Sequence, residues 1–368
     1  MASTMKVEKN SARDGRLRIA HFHTTLPQEH RKPGGVEVWV HRLANALVDL
    51  EQDEVTVFSS VKPPADARYR YRSVFPEARW LSRPLGRTLI LPAALNFFDF
   101  SAFDLLHLHG DDWFLLRRPI VTVRTLYGSA LREAQHAPRL RNRLFMYGIY
   151  GLEHVSVRLC SRALALGSDT ANLYGISERI SPGVSATVFY PGEKHPTPRV
   201  LFIGAWNGRK RGRFVFDVFV RDVLPHFPDA ELCMVSDYCP QHPRVIAEIA
   251  PDDATLARRL REAWVFALPS TYEGFGIPYL ESLASGTPVV ATPNPGSRDV
   301  LQDGKYGILA SDESFGQSIR DLLGSREDRE RLATLGLERS RAHSWRASAI
   351  RHREMYIQAI RGSAASML

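Results

Sequence analysis

The chain has 368 residues, 44% of them apolar, and a formal net charge of +8. This is enough for two α/β domains with sizeable cores. No apolar run approaches the roughly 20 residues of a membrane-spanning helix, so a helical span is excluded. The positive balance suits acidic ligands or an anionic surface, and no nucleic-acid motif accompanies it. Cys160, Cys233 and Cys239 have neither disulfide nor zinc spacing, so cytosolic residence is expected.

Residues 1–16 are polar and mixed in charge, without the apolar core of a signal peptide, and read as a disordered tail. Leu17 to Phe22 reads as a first strand, followed by a polar loop ending at Pro33-Gly34-Gly35. Val38, Val40, Leu43, Leu47 and Leu50 then mark a helix. Strands are expected at 55–58, 103–109 and 120–123, a long helix from about Arg139 to Cys160, and a strand at 163–166. This alternation implies a mostly parallel sheet. Three prolines between Pro191 and Pro198 mark a linker. The pattern then restarts with a strand at 200–204, a helix from Phe214 to Leu224, and a strand at 231–235. The final stretch, from Ser344-Trp345 to Ile360, reads as a helix.

The densest chemistry lies between the apolar run Val265–Leu268 and the strand at Val289-Val290-Ala291. Pro269-Ser270-Thr271-Tyr272-Glu273-Gly274-Phe275-Gly276 reads as a loop, and Ile277-Pro278-Tyr279-Leu280-Glu281 opens a helix that Gly286 stops. Gly274 and Gly276 permit positive φ or close approach to a ligand. A helix starting at the end of a buried strand aims free N–H groups at the crevice above the sheet, which makes an anion site. Glu273 and Glu281 can each accept hydrogen bonds from a vicinal diol, at roughly 1.5–3 kcal/mol per bond. The segment thus offers two diol clamps around one phosphate cradle.

Glu273 and Glu281, separated by seven residues and opened by Glu-Gly-Phe-Gly, resemble the signature of the family 4 retaining glycosyltransferases. A weaker resemblance extends from about Arg18 to Trp345. It implies the GT-B architecture, two Rossmann-like domains facing across a cleft, with the last helix crossing back to the first domain. The expected organisation is a tail at 1–16, an acceptor-side domain at 17–190, a linker at 191–198, a nucleotide-sugar domain at 199–345, and the returning helix at 346–368. The resemblance also implies a nucleotide-sugar donor and no obligatory metal or other cofactor.

Gly204 to Gly212 forms a second loop between strand and helix, carrying Arg209, Lys210 and Arg211. It reads as a diphosphate clamp. In the family an Arg follows the first glycine and a Lys precedes the last. Ala205 stands in the first position and Arg211 in the second, so Arg211, then Arg209, with Lys210 beside them, are the expected clamp. Gly34-Gly35 matches the family's glycine loop near the donor phosphates. The family's Thr-x-His-Gly appears here as Thr125-Leu126-Tyr127-Gly128, so Tyr127, or His109 from the neighbouring strand end, takes the histidine's place. Between Val61 and Arg87, Lys62, Arg68, Arg70, Arg72, Arg79, Arg83 and Arg87 interleave with Tyr69, Tyr71, Phe75 and Trp80. That mixture suits either a solvated face or an anionic membrane or lipid-linked acceptor.

The expected function is transfer of a hexose from a UDP- or GDP-type sugar to a hydroxyl of a sugar or lipid-linked acceptor. Surface polysaccharide, glycolipid or secondary-metabolite glycans would be the products. The enzyme would be cytoplasmic, with peripheral membrane contact at most. The alternative is a sugar-nucleotide-binding pseudo-enzyme of the same fold, motivated by Ala205 and Tyr127.

Overall fold

Short apolar strands alternating with amphipathic helices bury both sheet faces only when the strands run parallel and the helices cover them. The computed structural model has this arrangement twice; it describes residues 15–28, 34–75, 86, 90–116, 118, 120–137, 139–249 and 251–365.

The elements of the first sheet and its helices are β1 (Arg18–Phe22), α1 (Gly35–Val48), β2 (Glu54–Ser59), β3 (Arg70–Ser73), α2 (Leu91–Ala94), β4 (Leu105–Leu108), β5 (Val121–Leu126), α3 (Ala130–His136), α4 (Leu140–Leu159), β6 (Arg162–Ala165), α5 (Ser168–Tyr174) and β7 (Glu178–Arg179). The strand order is β3-β2-β1-β4-β5-β6-β7. The described pairings are parallel, with β1 between β2 and β4.

The second sheet is built from β8 (Arg199–Ile203), α6 (Gly212–Val218), β9 (Glu231–Val235), β10 (Val245–Glu248), α7 (Asp253–Glu262), β11 (Val265–Leu268), α8 (Ile277–Ala284), β12 (Val289–Ala291), α9 (Pro295–Leu301) and β13 (Ile308–Leu309). Its order is β10-β9-β8-β11-β12-β13, again parallel. α10 (Phe315–Gly324), α11 (Arg326–Arg341) and α12 (Trp345–Ala365) complete the chain. Two parallel α/β sheets and a returning last helix are the fold class expected from the sequence. The helix expected from Phe214 begins earlier, at Gly212, and passes into a π turn over Phe219–Val223.

The chain forms two compact units. One comprises Met1–Arg124, Leu159–Arg162 and Ala349–Leu368; the other comprises Thr125–Arg158 and Ala163–Ser348. Most of α12 therefore belongs to the first unit. There Arg353 Nε donates to Asp53 Oδ2 at 2.8 Å, and the Tyr356 hydroxyl and His107 Nδ1 share a hydrogen bond of 2.6 Å.

In the second unit the strand order reverses between β8 and β11. A crevice at the carboxyl ends of the strands opens at such a switch point. The loops that leave β8 and β11 are the two glycine-bearing loops of the sequence.

Candidate functional site

Asn294 before Pro295 is a helix-start sequence, because the amide caps the first turn and proline suits the first helical position. The Asn294 carboxamide oxygen accepts from Ser297 N at 3.0 Å, and its Nδ2 donates to Ser270 O at 3.0 Å. Thr292 Oγ1 donates to the same carbonyl at 2.8 Å. These buried contacts hold the start of the β11–α8 loop, and Ser270 Oγ in turn donates to Glu273 Oε1 at 2.5 Å. Gly296 lies so close that an added Cβ would stand 2.8 Å from Glu273 Cβ, which restricts this position to glycine. Gly276 has φ 92°, and an added Cβ would meet the Tyr279 ring at 2.4 Å. Its left-handed turn starts α8, whose second residue is Pro278.

Glu273 is only 5% exposed. Its Oε1 lies 2.9 Å from both Arg209 Nη1 and Lys210 Nζ. Arg209 also donates to Tyr272 O at 2.7 Å, and Thr271 N donates to Arg209 O at 2.9 Å, so the two loops are tied together by backbone as well as charge. Burial alone would raise the Glu273 carboxyl, but Lys210, Arg209 and the Ser270 hydrogen bond outweigh it and hold the group below its ordinary value. Burial lowers Lys210 despite the opposing pull of Glu273 and Glu281. Glu281, on α8, is half-buried and faces the same electrostatic neighbourhood.

Arg211 lies elsewhere. It adopts a left-handed φ of 61° as the residue before α6, and its guanidinium forms a two-pronged pair with Asp312 at 2.7 and 2.6 Å. It also stacks over Phe214, 4.1 Å from the ring centroid. The structure thus brings Arg209 and Lys210 to Glu273 and turns Arg211 toward Asp312.

Gly274 has ordinary φ, and its role is close approach: an added Cβ would stand 2.8 Å from Tyr127 O. Tyr127 therefore lies against the signature loop through its backbone, and its side chain is half-exposed. Phe275 is buried, 6.2 Å from the His343 ring.

In the first unit, Gly34 and Gly35 are exposed at the start of α1. Gly34 N donates to Glu37 Oε2 at 3.0 Å, and Thr25 Oγ1 donates to Glu37 Oε1 at 2.6 Å. His109 is packed inside. Its Nε2 and His21 Nδ1 share a hydrogen bond of 2.8 Å, and Trp39 lies 5.4 Å away. Burial first, then His107 and His21, push its pKa well below the ordinary range, so it is a neutral imidazole at physiological pH. Burial, then His352, likewise lowers His21 to about 3. His21, His107 and His109 offer ligand atoms within 4.8 Å of one another, the one such group of three among the described residues. Their neutral nitrogens are chemically able to hold a soft divalent ion, but no carboxylate joins them and the Arg124 charge lies beside His107 and His109. Asp112 is fully buried between Arg118 and Arg124, with ion-pair distances of 3.4 and 3.3 Å. Tyr69 is also internal, sharing a 2.9 Å hydrogen bond with His41, while Arg68 and Arg70 pair with Asp49 and Glu54. Arg79, Trp80, Arg83 and Arg87 lie outside the described residues.

Sequence reasoning does not single out Ser270, Asn294, Ser297 and Gly296. The Asn-Pro-Gly start of α9 is the available signal.

Two family descriptions match the chain. "Glycosyltransferase Family 4" covers residues 33–181 and "Glycosyl transferases group 1" covers residues 197–325. The chain belongs to glycosyltransferase family 4. A phosphatidyl-myo-inositol mannosyltransferase of Mycobacterium leprae is 31% identical over 172 residues, 43% of this chain and 46% of that protein. The chain thus spans about half the length of the curated relatives it matches. Among solved structures, the sucrose-phosphate synthase of Thermosynechococcus elongatus superposes with TM-score 0.72 at 19% identity, over 94% of this chain and 100% of that one. Anabaena HepE, solved with UDP and glucose, gives TM-score 0.65 at 15% identity, over 95% of this chain and 100% of that one. These likenesses agree with the two-sheet family fold.

Proposed function

We propose that this family 4 chain is a retaining hexosyltransferase using a UDP- or GDP-type sugar. The observation that carries the proposal is Glu273, a buried ionised carboxylate held by Arg209 and Lys210 at the β8–β11 switch point. A carboxylate there can accept hydroxyl hydrogen bonds from a donor sugar, and Glu281 from a ribose. Arg209, Lys210 and the free N–H groups opening α8 supply positive potential for a leaving diphosphate. Arg211 reaches that role only by leaving Asp312, so Arg209 and Lys210 are the stronger clamp.

In the proposed step the bond from the anomeric carbon to the diphosphate oxygen breaks. The acceptor oxygen bonds to that carbon from the same face, and its proton passes to the departing diphosphate. No covalent nucleophile and no metal is invoked. Tyr127 would stand near the acceptor, whereas the buried neutral His109 would act at most through packing. The mycobacterial relative's name includes phosphatidyl-myo-inositol, which motivates a polyol or lipid-linked acceptor here. The product would belong to a surface polysaccharide, glycolipid or secondary-metabolite glycan.

A panel of UDP-, GDP-, ADP- and dTDP-sugars, tested for binding and for transfer, checks the proposal. Transfer by the wild type and its loss in a folded Glu273→Ala protein are expected. Full activity of that variant would overturn the assignment. Binding with no transfer across a broad acceptor set would favour the pseudo-enzyme that Ala205 and Tyr127 suggest.

A further inference from the structure

A twenty-residue helix on a protein surface ordinarily buries an apolar stripe and shows water its polar face. α4 departs from that rule: Ser156 is its only fully buried residue. Its inner side is nonetheless well defined. Tyr150 and Val157 pack on the core of Leu126, Ala165, Ala171 and Tyr174. Glu153 accepts from Ala130 N at 3.1 Å and from the Tyr174 hydroxyl, and the His154 ring lies 4.8 Å from that of Tyr174.

The opposite side carries Leu140, Leu144, Tyr147 and Val155, which are 70%, 62%, 40% and 40% exposed. Their spacing of i, i+4, i+7 and i+15 sets them on one stripe, at 100° per residue. Six of the thirteen large apolar side chains exposed among the described residues belong to this helix. Gly148 and Gly151 lie within the same face, and a Cβ on either would meet nothing within 4 Å. An apolar stripe this continuous marks an interaction surface. The charges around it have one sign. Arg141 and Arg143 flank the stripe on opposite sides, Arg158 ends it, and exposed Arg139 precedes it. The helix's single acid, Glu153, faces inward.

We propose that the outer face of α4 docks on a membrane surface rich in anionic lipid. Leu140, Leu144, Tyr147 and Val155 enter the boundary between headgroups and acyl chains, and the arginines meet lipid phosphates. Charge selects this occupant over a second copy of the chain, because pairing two such faces would set arginines against arginines with no acid opposing them. The contact lies along the surface, since no helix among the described residues is long and apolar enough to cross a membrane.

The full chain is co-sedimented with phosphatidylcholine vesicles with and without phosphatidylglycerol, at low and high salt. Binding is expected to require phosphatidylglycerol and to weaken with salt. The double variant Leu144→Glu/Val155→Glu should lose roughly tenfold or more in binding with an unchanged thermal unfolding profile, because both side chains are already exposed. Arg141→Glu/Arg143→Glu should lose the preference for anionic lipid. Wild-type binding that ignores phosphatidylglycerol, or wild-type-like binding of the apolar variant, would overturn the proposal. So would a dimer in sedimentation velocity that Leu144→Glu/Val155→Glu dissolves. Vesicle binding needs no sugar donor, so its outcome is independent of the transfer reaction.

Discussion

Replacing Glu273 by glutamine keeps the side chain's shape and removes its charge. The carboxylate's side chain is 7% exposed and that of Lys210 is 18% exposed, so the ammonium would lose its counter-charge in a poorly solvated place. Removing one partner of a buried pair costs about 3–5 kcal/mol. Two features lower the cost here. The substituted carboxamide would still accept from Ser270, and Arg209, 31% exposed, keeps contact with water. Lys210 can also shed its proton, which from an ordinary value near 10.4 caps its share at about 5 kcal/mol at pH 7. The expected loss for Glu273→Gln is therefore about 2–4 kcal/mol. Lys210→Met alone leaves Glu273 paired with Arg209 and should cost about 1–2 kcal/mol. The double variant should cost less than the sum of the two, with a coupling of about 1 kcal/mol or more. Urea unfolding read through tryptophan fluorescence reports this, because Trp206 and Trp264 lie in the same unit as the pair. Additive costs, or a Glu273→Gln protein within about 0.5 kcal/mol of wild type, would refute the claim that this is a buried, mutually dependent pair.

Three further outcomes follow from the geometry. Burial, then His352, lowers His21 to about 3, below its unfolded value near 6.5. The folded state thus binds fewer protons. Stability is complete above pH 6.5 and falls as pH drops toward 3, by about 2 kcal/mol from His21 alone at pH 5. His107, His109, His352 and Tyr356 face His21 and none is acidic, and burial shifts His107 and His109 the same way. Unfolding midpoints at pH 7.5, 6 and 5 should decline for wild type and decline less for His21→Gln; a flat wild-type profile would refute the neutral cluster. Gly276→Ala, forced into left-handed φ against the Tyr279 ring, should lower stability by at least about 1–2 kcal/mol in thermal unfolding and abolish donor binding. Tyr356→Phe strips the hydroxyl partner from buried His107 and should cost about 1–3 kcal/mol, readable in the same thermal unfolding.

The two parallel sheets and the signature loop were legible because alternating apolar runs, Gly276 and Pro278 express local rules. The partner of each cation was not. Arg211 fills the family's lysine position by spacing, yet its left-handed backbone sends the guanidinium to Asp312, 101 residues further along. Arg209 and Lys210 reach Glu273 because Thr271 N bonds Arg209 O, a contact between loops that no periodicity encodes. His109 reads as a strand-end imidazole, but its burial depends on His21, 88 residues away, and on α1. Strands as short as β7 and β13 carry two residues each and leave no pattern to find. The basic and aromatic run after Val61 suits a solvated face or an anionic membrane face, and spacing does not choose between them. Tyr69 turns inward to His41, and the exposed apolar stripe lies instead on α4.

Glu273, Arg209 and Lys210 are proposed to hold a nucleotide sugar for transfer with retention. The most direct measurement is the anomeric configuration of the product, read by NMR from the full chain supplied with its best-binding nucleotide sugar and a hydroxyl acceptor. The expected product is a glycoside with the anomeric configuration of the donor, absent when Glu273→Gln replaces wild type. A product of inverted configuration, or an undiminished yield from the variant, would contradict it.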